Sequence, residues 1–228
     1  NTHVLEVGKP IGQFYGYITD GLYQVDDFNY NQNSKTYSLK DGVPYSGNRD
    51  NVRPGMWRFR DRDGDGLITE ADKTVIGNAQ PKVYGGLNNT FTWKGFDLSV
   101  FLRFSIGGEV LNATKLVSTK VGTQNANVLN VANSANRWMT INTAGQIVTD
   151  PDELTVLNAG KTVAAYYDME QGDMYVHSWG VEDASFLKLA NLTFGYTLPD
   201  GCLKSLGVSK MRVYFTGNNI ATWTRYSG

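Results

Sequence analysis

Between Gly95 and Ile106 the chain alternates closely enough to fix its local conformation. Phe96, Leu98, Val100, Leu102, Phe104 and Ile106 fall on one parity, and Asp97, Ser99, Arg103 and Ser105 fall on the other, with Phe101 the exception. Successive side chains of a strand point to opposite faces, whereas a helix would scatter these residues around its circumference. A half-buried β-strand is therefore expected here. At a rise of about 3.3 Å per residue it spans about 40 Å, long for a soluble domain. Tilted by about 45°, such a strand crosses a bilayer core.

Neighbouring segments repeat the pattern. Lys82 to Trp93 carries Val83, Leu87, Phe91 and Trp93 on one parity, and Lys94-Gly95 then provides a two-residue connection whose glycine accepts positive φ, predicting a hairpin. A third strand fits Ala184 to Leu198, with Leu192, Phe194 and Tyr196 on one face and Asn191, Thr193 and Thr197 on the other, stopped by Pro199-Asp200-Gly201. Lys210 to Asn218 supplies a fourth, pairing with the third as a second hairpin. The connections inside the hairpins are short, but more than seventy residues separate them, from Gly107 to Asp183. Short turns at one end and long loops at the other are the asymmetry of outer-membrane β-barrels, and ordinary sandwiches rarely carry so long an insertion. Within the insertion, Asn112 to Ser134 and Leu154 to Asp168 are expected to hold short helices or irregular structure.

Composition supports strands and turns, with 25 glycines, 13 tyrosines, 10 phenylalanines and 5 tryptophans in 228 residues. A formal net charge of −1 gives no field for nucleic acid, and Cys202 alone makes neither an internal disulfide nor a paired zinc site. No apolar run reaches the roughly 18 to 20 residues of a spanning helix. Asn1 to Pro10 lacks the basic and apolar segments of a secretory signal.

One segment has specific chemistry. Asp61-Arg62-Asp63-Gly64-Asp65-Gly66-Leu67-Ile68-Thr69-Glu70-Ala71-Asp72 follows the calcium-loop spacing, with carboxylates at loop positions 1, 3, 5 and 12 and glycine at 6. A hard cation needs six or more oxygens, and alternate residues of a tight loop converge on one centre while Gly66 permits the bend. The candidate calcium ligands are Asp61, Asp63, Asp65, Leu67 through its carbonyl, Thr69 and Asp72, with aspartate replacing the usual glutamate at the last position. The alternative is a solvated acidic turn. Arg53 to Arg60 contains Pro54 and Gly55 and reads as extended, so a lone loop-ordering site is expected rather than a sensor, which needs a helix pair to open.

Catalytic constellations are absent. His177 reads as an ordinary loop histidine, and neither a nucleophile elbow nor a phosphate loop is present. Glu182 and Asp183 are adjacent on a strand and so point to opposite faces, which defeats a glycosidase pair. Trp57, Trp138, Trp179 and Trp223 fall in predicted loops and are expected to pack loop bases or interfacial belts rather than to stack on sugars.

Several blocks in order carry a resemblance. Pro10-Ile11-Gly12-Gln13-Phe14-Tyr15-Gly16-Tyr17, Asp20-Gly21-Leu22-Tyr23-Gln24, Pro54-Gly55, Arg58-Phe59-Arg60-Asp61 and Ile76-Gly77-Asn78 are similar to the carboxyl-terminal region of SusC/RagA-type TonB-dependent outer-membrane transporters. So are Tyr84-Gly85-Gly86-Leu87-Asn88-Asn89-Thr90-Phe91, Val181-Glu182-Asp183-Ala184-Ser185-Phe186-Leu187-Lys188-Leu189 and Thr222-Trp223-Thr224-Arg225-Tyr226-Ser227-Gly228. The resemblance implies an all-β fold: antiparallel strands of the carboxyl-terminal part of a transmembrane β-barrel, with long extracellular loops and one EF-hand-like calcium loop. It implies an extracellular loop region at 1–81 holding the calcium-type loop 61–72, a hairpin at 82–106, a long extracellular loop at 107–183 and a hairpin at 184–218. The signal peptide, the plug domain and the last strands are expected to lie outside this chain.

The function implied is import of glycans or peptides across the outer membrane of a Gram-negative bacterium, with no enzymatic activity. The partners implied are a SusD-like surface lipoprotein, TonB acting through the absent plug, the oligosaccharide or peptide ligand and membrane lipid, with no nucleic acid. On this reading Phe96, Leu98, Val100, Leu102, Leu192 and Phe194 face lipid, and Asp97, Arg103, Asn191 and Arg212 face the lumen. Trp93 and Phe96 mark the periplasmic girdle. Lys188 shares the lipid parity and is expected to snorkel to the interface. The competing reading is a soluble, secreted, calcium-stabilised β-domain that binds carbohydrate or protein, its apolar faces forming a sandwich core.

Overall fold

The structure is a computed structural model that describes residues 2–119, 127–166, 176–199, 201 and 207–227. Cys202 and Asp168 lie outside the described residues. The elements in chain order are β1 His3–Val4, β2 Gln13–Gly16, β3 Thr19–Leu22, β4 Phe28–Asn31, β5 Thr36–Leu39, β6 Trp57–Phe59, β7 Thr74–Asn78, β8 Val83–Trp93, β9 Phe96–Ile106 and β10 Glu109–Leu111. Helices α1 Ala113–Ser118 and α2 Pro151–Leu157 follow, and then β11 Val181–Asp183, β12 Phe186–Thr197 and β13 Arg212–Thr224. Two compact units divide the chain. The first comprises residues 1–78 and 111–181, and the second residues 79–110 and 182–227.

The second unit is a four-stranded antiparallel sheet in the order β13-β12-β9-β8. Its β8–β9 hairpin closes at Lys94 and Gly95, whose φ values of 45° and 86° are the paired positive torsions of a two-residue turn. Beside that turn Trp93 opposes Phe96, and the Phe96 ring lies 4.4 Å from that of Tyr196. Register assigns the faces. Val83, Leu87, Phe91 and Trp93 pair with Ile106, Leu102, Leu98 and Phe96, while Val100 pairs with Leu192 and Leu98 with Phe194. Across β12, Phe194 opposes Phe215 and Leu187 opposes Trp223. One face is thus almost wholly apolar and much of it is exposed, with Phe91, Trp93, Phe215 and Trp223 all more than half accessible. The other face carries Asn88, Thr90, Asp97, Ser99, Arg103, Asn191, Thr193, Arg212 and Thr216. Among the described residues the sheet does not close on itself; β8 and β13 are its edges.

Two features depart from the sequence expectation. The register shifts between Leu189 and Asn191, so Ala190 is extra in β12 and every residue before it changes parity. Lys188 consequently pairs with Arg103 and joins the polar face, while Leu187 and Leu189 pair with Phe104 and Leu102 on the apolar face. The snorkelling expected of Lys188 is therefore corrected. The second departure is that β13 does not stop at Asn218 but runs to Thr224, carried past the irregularity by Asn219 at φ 54°.

The first unit is built of short pieces. Its small sheets are β1-β2-β7, β3-β6 and β4-β5, so residues before Lys82 are folded rather than merely looped. Three apolar clusters hold them. Leu22, Val25, Trp138, Val148, Leu154, Ala164 and Ala165 form the first, Tyr23, Phe28, Leu39, Val52 and Met56 the second, and Tyr17, Phe59 and Ile68 the third. Helix α2 starts sharply because Asp150 accepts N–H bonds from Asp152 and Glu153 and Pro151 fills the first helical position. Asn112 caps α1 in the same way through Lys115 N–H. Trp138, only 1% exposed, sits over Gly55, where a Cβ would lie 2.3 Å from the indole. Among the described residues no helix is long and apolar enough to cross a membrane.

Candidate functional site

The acidic loop belongs to the first unit and is positioned by a neighbouring strand segment. Tyr45 N–H donates to the Gly66 carbonyl at 3.3 Å, and Ile68 N–H donates to the Tyr45 carbonyl at 2.8 Å. This bridge fastens the second half of the loop, and Ile68 enters the core beside Tyr17 and Phe59. Because alternate residues face opposite edges, the Leu67 N–H and carbonyl point away from Tyr45, and the N–H meets Asp65 Oδ1 at 2.7 Å.

Asp61, Asp63 and Asp65 converge, with one carboxylate oxygen from each lying within 4.8 Å of the others. Each is also an acceptor for backbone N–H groups of the loop. Asp61 takes Gly64 at 2.7 Å and Gly66 at 2.9 Å, and Asp63 takes Asp65 at 3.2 Å. Gly64 and Gly66 adopt φ of 79° and 84°, which wrap the backbone round these carboxylates. The N–H bonds from Gly66 and Gly64 hold the Asp61 carboxyl below its ordinary range, because they favour the charged form.

Asp72 has a different place. It is completely buried, and its two oxygens accept Arg62 N–H and Thr69 N–H, both at 2.7 Å. Thr69 in turn accepts Ala71 N–H through Oγ1, making a capping box at the short helical turn that ends the loop. The structure thus brings Asp61, Asp63 and Asp65 together, aims Leu67 at their side of the loop, and uses Thr69 and Asp72 to tie the loop's start to its end. The donor set is all hard oxygen, which suits calcium rather than a softer metal. Tyr45 was not legible as the loop's partner, since nothing in its immediate sequence marks it.

The remaining candidates have structural surroundings. His177 is buried against Trp57, Phe59 and Trp179, with ring centroids 4.9, 5.5 and 6.3 Å away. Glu182 accepts the N–H and hydroxyl of Ser227, and Asp183 accepts Ser185 N–H. On the polar face of the sheet, Arg212 forms a two-pronged pair with Asp97 at 2.9 and 2.6 Å. This pair crosses directly over Gly195, where a Cβ would lie 2.5 Å from the guanidinium.

No protein-family model matches the chain. Curated relatives do. TonB-dependent receptor P3 of Formosa agariphila is 35% identical over 227 residues, which is all of this chain and 19% of that protein. TonB-dependent receptor SusC of Bacteroides thetaiotaomicron is 27% identical over 183 residues, covering 78% of this chain and 16% of that one. Among solved structures, the RagAB peptide importer in its closed-closed state superposes with a TM-score of 0.63 at 20% identity, over 100% of this chain and 21% of that chain. The open-open state gives 0.62 at 19% identity over 100% of this chain and 20% of that chain. The chain spans about a fifth of the length of these relatives. It is a segment of the TonB-dependent receptor class. Within that class it is similar to SusC over 78% of its length, and its antiparallel sheet is the part of the RagA-like barrel fold that it contains.

Proposed function

We propose that this chain forms part of an outer-membrane importer of glycans or peptides, working with a SusD-like surface lipoprotein and energised by TonB. The carrying observation is the second unit's sheet. One face is apolar and exposed over four strands and the other is polar, with a two-residue turn at one end of the first hairpin and a long insertion at the other. A soluble sandwich would cover the apolar face with a second sheet, whereas lipid covers it in a barrel. Here the edges β8 and β13 would be completed by further strands of the same barrel. RagAB is described as a peptide importer, and SusC is named a TonB-dependent receptor.

In this reading the first unit is the extracellular part, and Asp61, Asp63 and Asp65 with the Leu67 carbonyl hold calcium, water completing the shell. The ion would screen three carboxylates that otherwise repel one another and so keep the loop in one shape. The chain's own residues already preorganise that shape through Asp72 and Tyr45.

The test is uptake by cells carrying the intact protein. Deleting its gene should abolish accumulation of labelled oligosaccharide or peptide, and a protonophore should do the same in the complemented strain. Equal accumulation with and without the gene, across both ligand classes, would overturn the proposal.

A further inference from the structure

An open cavity of about 460 Å³ lies wholly within the first unit, away from the acidic loop. That volume falls in the ~300–1,000 Å³ range of small-molecule sites. Its floor is apolar, formed in part by the buried Leu154 and Val148. Two cations, Lys35 and Arg53, stand on its wall, and among the described residues no carboxylate lines it. Neither cation is paired with a carboxylate among the described residues. Arg53 donates through Nη1 to the Asp50 and Val52 carbonyls, and Lys35 sits exposed in the β4–β5 turn at φ 54°. Asp150, next to the lining residue Thr149, turns its carboxylate to the N–H groups of α2.

The geometry points to a binding site for an acidic saccharide, its carboxylate or sulfate held by Lys35 and Arg53 and its ring set against Tyr37 and Tyr166. The inference rests on the import reading, and it names the ligand class that this part of the importer would take. A sugar ring has apolar C–H faces and hydroxyl edges, and the lining repeats that division. Tyrosine faces accept the former, and Thr140 and Asn51 offer hydrogen bonds to the latter. Burial, with Tyr30 and Asp150 adding to it, pushes the Tyr37 phenol up to about 12. It stays neutral at physiological pH, anchored by its hydroxyl to the Thr149 carbonyl at 2.8 Å, and adds no negative charge to the wall. A peptide's acidic side chain would meet the same cations, so the preference for saccharide rests on the tyrosine rings and hydroxyl-matching groups of the lining.

The experiment is isothermal titration of the intact, detergent-solubilised protein with trigalacturonate, a chondroitin sulfate disaccharide, maltotriose and tetraglutamate. At least one of the two acidic saccharides should bind, weakening on added salt, and K35Q/R53Q should lose at least tenfold in affinity for it. Lys35→Glu should weaken binding more than Lys35→Gln. Lys35 is exposed and makes no bond that folding needs, so this pair separates charge from misfolding. No binding of either acidic saccharide, binding indifferent to both substitutions, or a preference for tetraglutamate would overturn the site. Uptake lost on gene deletion with no such binding would sink this inference alone. Binding retained with uptake unaffected by deletion would sink the import reading alone.

Discussion

Replacing Val100 by Arg in the intact protein tests the assignment of faces most directly. Strand β9 has 11 residues. At about 3.3 Å per residue and a tilt near 45°, it covers about 23–26 Å of depth, close to the ~25 Å apolar band of a barrel. Val100 lies four residues beyond Phe96, about 9 Å in from the turn end and so only a few Å from the midplane. It opposes Asn89 on β8 and Leu192 on β12, with no acidic residue opposite it on either strand. A lipid-facing Arg at that depth costs about 2–4 kcal/mol, or about 30- to 700-fold in the folding equilibrium. Arg103→Ala, on the opposite face, removes chiefly the contact between the guanidinium and the Phe186 ring at 5.6 Å, a loss of about 0.5–1 kcal/mol. Urea titration of protein refolded into vesicles, read by the mobility of the folded band on cold gels, should separate the two variants clearly. Equal midpoints, or a larger loss for Arg103→Ala, would refute the parity of the whole sheet.

Four further outcomes are expected. Leu189→Arg should cost the same ~2–4 kcal/mol, because the irregularity at Ala190 puts Leu189 on the apolar face, while Lys188→Ala is tolerated; the reverse order in the same assay would return Lys188 to the lipid side. Asp63→Ala should abolish calcium binding in titration calorimetry, and unchanged binding would remove the ion from this loop. The loop itself should resist acid. Since the folded-state pKa of Asp61 is depressed below its ordinary value of 3.8, its contribution is complete above that value and is lost as pH falls through the lower folded-state one. Hydrogen-exchange protection of Gly64 and Gly66 should therefore persist at pH 5, and its disappearance there would contradict the bonding described. Finally, Gly55→Ala forces a side chain into left-handed φ of 87° and onto Trp138. About 1–2 kcal/mol of backbone strain and about 1–3 of overpacking should make the first unit measurably easier to proteolyse, with the sheet unaffected.

How much of this was legible depended on how far each signal extends along the chain. The β8–β9 hairpin could be read because eleven-residue alternation and a Lys-Gly turn are local and repeated. The far end of β13 could not, because Gly217-Asn218-Asn219 has the composition of a turn, and only pairing with β12 keeps it extended through that point. The change of face at Ala190 was invisible for the same reason. A bulge is defined against a partner strand, and the residues of β12 alternate plausibly in either register. In the first unit, strands of two to five residues are too short to show any period, so its three clusters come from contacts between residues distant in sequence, such as Trp138 with Leu22. The acidic loop was found through its spacing. What spacing does not reveal is that Asp72 closes the loop through backbone N–H groups, or that Tyr45, from outside the motif, supplies its bridge.

The long insertion between β9 and β12 bears on the order in which the chain folds. Its two ends meet: Asn112 N–H donates to the Gly180 carbonyl at 2.8 Å within the first unit, and Ala184 N–H donates to the Gly108 carbonyl at 2.9 Å within the second. Each hairpin can zip locally, but joining β9 to β12 must close a loop of roughly eighty residues, at a chain entropy that grows by about 0.6 kcal/mol for every doubling of length. An insertion that has already folded with its ends together shortens that loop to a few residues and lowers the closing cost by about 2–3 kcal/mol. The folded insertion would thus act as the staple for the sheet that it interrupts. The rate at which the insertion's core forms would then govern how fast the central seam between the two hairpins is sewn.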